Sequence, residues 1–206
     1  MKTLIHAASD RAIDPAIDPV TSALTRALRR FGREDRGNLM VEAVLVLPFL
    51  LWSYVGLHVY WDAFHSVNSV QKAAYAVSDM ISREMTSISP AYLTGMDTLM
   101  ERLVDADQDV AMRVTSVYFD ERDNRNEVHW SVSPHAAMTP LTTATLQAFD
   151  DQIPDMSDGD YVVIVEVSVG YEPSFNVGID AMDLQQFIVT RPRFVPRICM
   201  EGFTCS

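Results

Sequence analysis

One carboxylate stands inside a run that is otherwise apolar. From Leu39 to Tyr60 the chain reads LMVEAVLVLPFLLWSYVGLHVY, with Glu42 as its only acid, a single histidine, His58, and no Lys or Arg. A charge at the centre of a bilayer costs about 2.5–3.5 kcal/mol on insertion scales, so a membrane-embedded acid asks for a partner or a place near the interface. Glu42 lies near the start of the run, where the dipole of a helix beginning there favours an anion. Gly37 lies five residues before it, at the boundary between polar and apolar sequence. The other residues with chemistry in them are Cys199 and Cys205, the two cysteines of the chain. Their spacing suits a small disulfide loop in an oxidising compartment, and two unpaired thiols are the alternative. Two cysteines alone do not make a metal site.

The remaining clusters are weaker. Asp105, Asp107 and Asp109 imitate the opening of an EF-hand loop, but Val110 takes that loop's glycine position and Ser116 the position of its bidentate glutamate. A solvated acidic face is the better reading. Asp155, Asp158 and Asp160 surround Gly159 and read as a polar turn ahead of a strand. His129 and His135 flank Pro134 without helical metal spacing. The chain carries no nucleophile-elbow pattern, P-loop or dinucleotide fingerprint. The expectation is a protein that is not an enzyme, with no catalytic residue, no metal, no cofactor and no small-molecule substrate.

These residues must be held by the elements around them. The 22 residues from Leu39 to Tyr60 would reach roughly 33 Å as a helix, about the thickness of a bilayer core. A helix of that length in a soluble core would show a polar stripe, and this one has almost none. Tyr60 and Trp61 fit an interfacial aromatic belt. Pro48 is tolerable in a membrane helix, with a slight kink. Arg26, Arg29, Arg30, Arg33 and Arg36 precede the run, whereas Lys72 is the only base between it and Arg83. The positive-inside rule then places the N-terminus in the cytoplasm and everything after residue 61 on the far side. A cleaved signal peptide competes, but the apolar run is long and no small-x-small site follows closely.

Charge divides along the same line. Residues 1–37 hold seven Lys/Arg and five acids, a net of +2, which leaves −14 for the rest of a chain whose total is −12. An acidic main domain repels phosphates, which excludes nucleic acid as its partner. Within the leader, Asp14-Pro15 and Asp18-Pro19 disfavour helix, and Leu24, Leu28 and Phe31 interleave with arginines as a basic surface segment.

Beyond the span, Val70, Ala73, Ala74, Val77, Met80, Ile81, Met85 and Ile88 recur at helical spacing, so one long helix is expected to run on until Pro90 ends it. A second helix is expected over Met96–Ala106. Residues 110–119 and 127–132 alternate as a hairpin, LTTATLQAF reads as a connecting helix, and YVVIVEVSVGY (161–171) is the strongest strand. Residues 184–198 read as a last strand, broken by Pro192 and Pro196 and so placed at an edge. The expected fold class is α+β. A long N-terminal transmembrane helix continues into a soluble domain with a small antiparallel sheet of about four strands and one or two short helices. The expected divisions are a cytoplasmic leader 1–37, a transmembrane helix 38–61 and a periplasmic domain 62–206.

The stretch RGNLMVEAVLVLPFLLWSYVGL (36–57), with Gly37, Val41-Glu42 and Leu47-Pro48, resembles the N-terminal region of the TadE/TadG-like family of tight-adherence (Flp) pilus assembly proteins. VEVSVGYEP and a later Arg-Pro-Arg are similar to that family's ending. The resemblance implies a minor-pilin-like component of the bacterial inner membrane, cut by a prepilin peptidase between Gly37 and Asn38. It also implies that Glu42, then the fifth mature residue, pairs with the new N-terminal amine of a neighbouring subunit, and that the partners are the membrane, the peptidase, pilins and other pilus assembly proteins. Major Flp pilins carry a Tyr after that Glu; Ala43 and the large exported domain depart from them. The alternative is an unprocessed, signal-anchored periplasmic binding or scaffold protein unrelated to pili.

Overall fold

The computed structural model describes residues 35–104 and 109–205, so the expected basic segment around Leu24–Arg33, and Asp105 and Asp107, lie outside the described residues. The chain divides into two compact units, Met1–Tyr54 and Val55–Ser206.

In the first unit the described residues are the opening part of helix α1 (Asp35–Ser82). Every residue from Leu39 to Trp52 is exposed. These include large apolar side chains such as Leu45 and Trp52, at 70% and 64% exposure. The helix passes through Pro48 without a break. It is long and apolar enough to cross a membrane.

The second unit is α+β. After α1 come α2 (Pro90–Leu103), β1 (Val110–Asp120), β2 (Arg125–Val132), α3 (Thr143–Leu146) with a 3₁₀ extension Gln147–Gln152, β3 (Tyr161–Tyr171) and β4 (Met182–Thr190). The four strands form one sheet in the order β2-β1-β3-β4, antiparallel throughout. β1 and β2 make the expected hairpin, turning through Asn124 in the left-handed region (φ 47°), which Asn tolerates. β3 is central and buried on both sides, which is why its sequence reads as a nearly continuous β-branched run. β4 is an edge, as expected, but it stops at Thr190 rather than continuing to Ile198. Pro192 cannot donate to a ladder, and the chain leaves the sheet before reaching it.

The inner face of the sheet carries Met112, Val114, Val163, Val165 and Val167, which pack with Val70, Ala74, Val77 and Ile81 of α1. Val59 is already buried, so protein cover on the helix starts before the expected boundary at residue 62.

Two helix ends differ from expectation. α1 stops at Ser82 rather than at Pro90. The Arg193 backbone N–H donates to the Ser82 carbonyl at 2.8 Å, and the Ser82 hydroxyl donates to the Asp79 carbonyl at 2.8 Å. Carbonyls of the last turn thus find partners in a distant loop, in a local side chain and in tightened backbone bonds from Arg83 and Glu84, and the helix ends without Gly or Pro. Ile88 is buried as expected, but in an isolated bridge to Met200, while Met85 is exposed. Pro90 opens α2 instead of closing α1. Proline suits the first helical position, and Ser89 caps it by accepting the Tyr92 N–H at 3.2 Å. The second helix therefore starts ahead of the expected Met96.

Candidate functional site

Gly37 and Asn38 lie in the first turn of α1, so the peptide bond between them is in helical backbone. Glu42 is the eighth residue of that helix and is exposed. The helix dipole acts within the first turn. Glu42 lies beyond it, so the dipole does not account for a carboxylate here, and among the described residues no base pairs with it. Pro48 is exposed six residues further on.

Cys199 and Cys205 belong to the other unit and are joined, with Cα atoms 5.7 Å apart. Their loop is seated by the sheet. The Trp130 indole N–H donates to the Ile198 carbonyl at 2.9 Å, His129 Nε2 lies 2.9 Å from the Thr204 carbonyl, and the Ile88 N–H donates to the Cys199 carbonyl at 2.8 Å. A bulge sets this up: Ser116 faces Trp130 while Val117 faces Val128, leaving His129 as the extra residue on β2. Trp130 thereby joins the inner core and Val128 the outer one.

The acidic turn residues are used locally. Asp158 accepts the Glu121 N–H at 3.1 Å, and Asp160 accepts the Ser157 N–H at 3.1 Å. His135 approaches Asp97 at 3.9 Å, and burial raises the Asp97 carboxyl above its ordinary value, with Glu101 adding to the rise and His135 opposing it. The carboxylates of Asp120, Asp123 and Glu127 also converge. Arg125 bridges Asp123 and Glu127 at 2.9 and 2.6 Å, and the Tyr118 hydroxyl donates to Glu127, which pushes the phenol up to about 12 and holds Glu127 below its ordinary value. Where the helix meets the sheet, the Tyr171 hydroxyl donates to Asp62 at 3.0 Å, and burial followed by that contact raises the phenol to about 12.

The outer face of the sheet holds an arrangement that the sequence reading passes over. Arg113 on β1, Glu166 on β3 and Phe187 on β4 stand in one cross-strand row. The Arg113 guanidinium grips Glu166 through two bonds, Nε to Oε2 at 2.7 Å and Nη2 to Oε1 at 2.6 Å, and its Nη1 donates to the Thr139 carbonyl. Arg113 and Glu166 are only 8% and 6% exposed. Nearby, Phe149 stacks on Phe187 with ring centroids 5.3 Å apart. These groups, with Gln152, Ser168 and Gln185, line a cleft of about 500 Å³. The sequence signal was a lone charge of opposite sign in the middle of each of two strands that pair, VAMRVTSVYF and YVVIVEVSVGY.

Comparison of the chain with protein-family profiles, curated proteins and solved structures finds no match.

Proposed function

We propose that this chain is a membrane-anchored, minor-pilin-like component of a bacterial tight-adherence pilus assembly system, with its N-terminus cytoplasmic and its α+β domain periplasmic. In this reading α1 crosses the inner membrane, a prepilin peptidase cuts between Gly37 and Asn38, and the protein acts in assembly rather than as an enzyme. The observation that carries it is Glu42. It is an exposed acid two turns into a helix whose following residues are apolar and exposed, five positions after a glycine at the polar boundary. Cleavage would create an ammonium at Asn38, and an ammonium on a neighbouring subunit neutralises a carboxylate in low dielectric where water cannot. Lateral packing of apolar helices against other assembly proteins or pilins then takes place in lipid, guided by that one polar contact.

A second reading is favoured by the outer-face cleft: an anchored periplasmic domain that binds or scaffolds, never processed. The mature N-terminus separates the two. Intact mass and N-terminal sequencing of protein from its native membrane, beside a Gly37→Ala variant, should show a wild-type chain starting at Asn38 and an uncut variant. A wild-type chain that retains the leader sinks the pilin-like reading and returns Glu42 to a plain interfacial helix residue.

A further inference from the structure

We infer that the outer-face cleft between β3–β4 and the Thr139–Gln152 segment is a binding site for a neutral saccharide. Burying a charged pair is rarely a gain in stability, since desolvation offsets the attraction. A fully paired Arg–Glu unit in a cleft wall is thus poorly explained by folding alone. Its charges cancel, so the wall offers no net charge to an anion or a cation. It still offers hydrogen bonds. A guanidinium has five N–H donors, and three are used in the bonds to Glu166 and Thr139, which leaves two. Each Glu166 oxygen accepts one N–H from Arg113 and keeps capacity for another donor. Donors and acceptors therefore lie side by side, which is what adjacent sugar hydroxyls need, each donating once and accepting once.

The rest of the lining fits the same ligand. Gln152 and Gln185 add amides of both polarities at the exposed rim, Ser168 adds a hydroxyl, and the stacked Phe149 and Phe187 give an aromatic wall for the apolar face of a pyranose ring. The volume of about 500 Å³ falls among those of small-ligand sites. A peptide would pair along the open edge of β4, whereas these side chains cluster on the outer face of the sheet.

The test uses the full chain in a polyoxyethylene detergent, whose head group contains no sugar. Maltose, cellobiose and N,N′-diacetylchitobiose are titrated by calorimetry and followed by saturation-transfer NMR. We expect saturable binding of at least one of them. We expect it to weaken about three- to tenfold in Gln185→Ala, whose exposed edge position leaves the fold intact, and more in Glu166→Gln. Should Glu166→Gln fail to fold, Gln185→Ala decides alone. Absence of saturable binding to all three sugars by the wild type, binding unchanged in Gln185→Ala, or saturation by trialanine in place of sugars overturns the inference.

Discussion

On its inner face the sheet turns Met112, Val114, Val163, Val165 and Val167 toward α1; on its outer face it sets Arg113, Thr115, Glu166 and Ser168 beside Val162 and Ile164. Both faces come from the same strands, one residue out of step. The inner face is secured by apolar burial, which is non-directional and tolerates changes of shape. The outer face is secured partly by groups that work only in one geometry: the Arg113–Glu166 fork, and the Thr115 and Ser131 hydroxyls 2.8 Å apart, with the Ser131 oxygen also accepting the Leu141 N–H at 2.9 Å. One side should therefore fail gradually and additively, and the other abruptly and with rescue.

The largest effect is expected from removing one member of the fork. Glu166→Ala leaves Arg113 charged, buried and unpaired, and should cost about 3–5 kcal/mol of unfolding free energy. Replacing both together, Arg113→Met with Glu166→Leu, removes the charges and should return stability to within about 1 kcal/mol of the wild type, or above it. Urea unfolding of the full chain in micelles, followed by circular dichroism, measures both. A double variant as unstable as the single one would mean that the pair is needed by the fold, and would weaken the case that it is kept for a ligand.

The inner face should offer no such rescue. Ile81, fully buried on α1, should lose about 2–5 kcal/mol as Ile81→Ala through lost burial and the cavity left behind. The loss should add to that of Glu166→Ala within about 0.5 kcal/mol if the two faces are independent. A larger coupling in the four-member cycle would show that β3 transmits strain between them.

The disulfide tests how the inner face is closed at its margin. Ile198 and Met200 belong to the inner core, and the Cys199–Cys205 loop holds the segment that carries them. Constraint of so short a loop is worth about 2 kcal/mol in the chain-entropy account. The Cys199→Ser, Cys205→Ser double variant should lose that much, and hydrogen exchange should rise at Ile88 and Trp130 before it rises at β3. Uniform loss of protection would place the tail in the global unfolding unit instead.

The contrast between faces also explains what the sequence made legible. Period-two alternation and a β-branched run located β1, β2 and β3 closely, because their cause is local and apolar. The apolar stretch after Leu39 was readable for the same reason. What escaped depends on contacts between residues far apart in the chain. The Ser82 carbonyl at the end of α1 is met by a backbone N–H from Arg193, a contact that no local pattern signals. Pro90 does mark a boundary, but the boundary is the start of α2, announced by Ser89 before it. Arg113 and Glu166 each looked like one polar residue in a strand, and only the register of β1 with β3 makes them a site. Glu42 could be found but not fully placed: the sequence suggested a first-turn position, while the helix is already formed at Asp35.

The smallest expected effect concerns the inner side's own buried acid. Asp97 on α2 is 5% exposed, and its contact is His135 at 3.9 Å rather than a two-pronged bond. Burial raises its folded pKa above the unfolded value, so its protonated form favours the fold. Stability from this group is complete below the unfolded pKa, about 4, and is lost as pH rises through the raised folded value. Asn imitates the protonated acid. Asp97→Asn should therefore raise Tm by about 2 °C at neutral pH, and the gain should shrink to nothing below pH of about 4. A lower Tm at neutral pH would mean that the His135 contact outweighs burial. The inner side would then hold an ion pair of its own, and the distinction between the two faces would narrow to one of geometry.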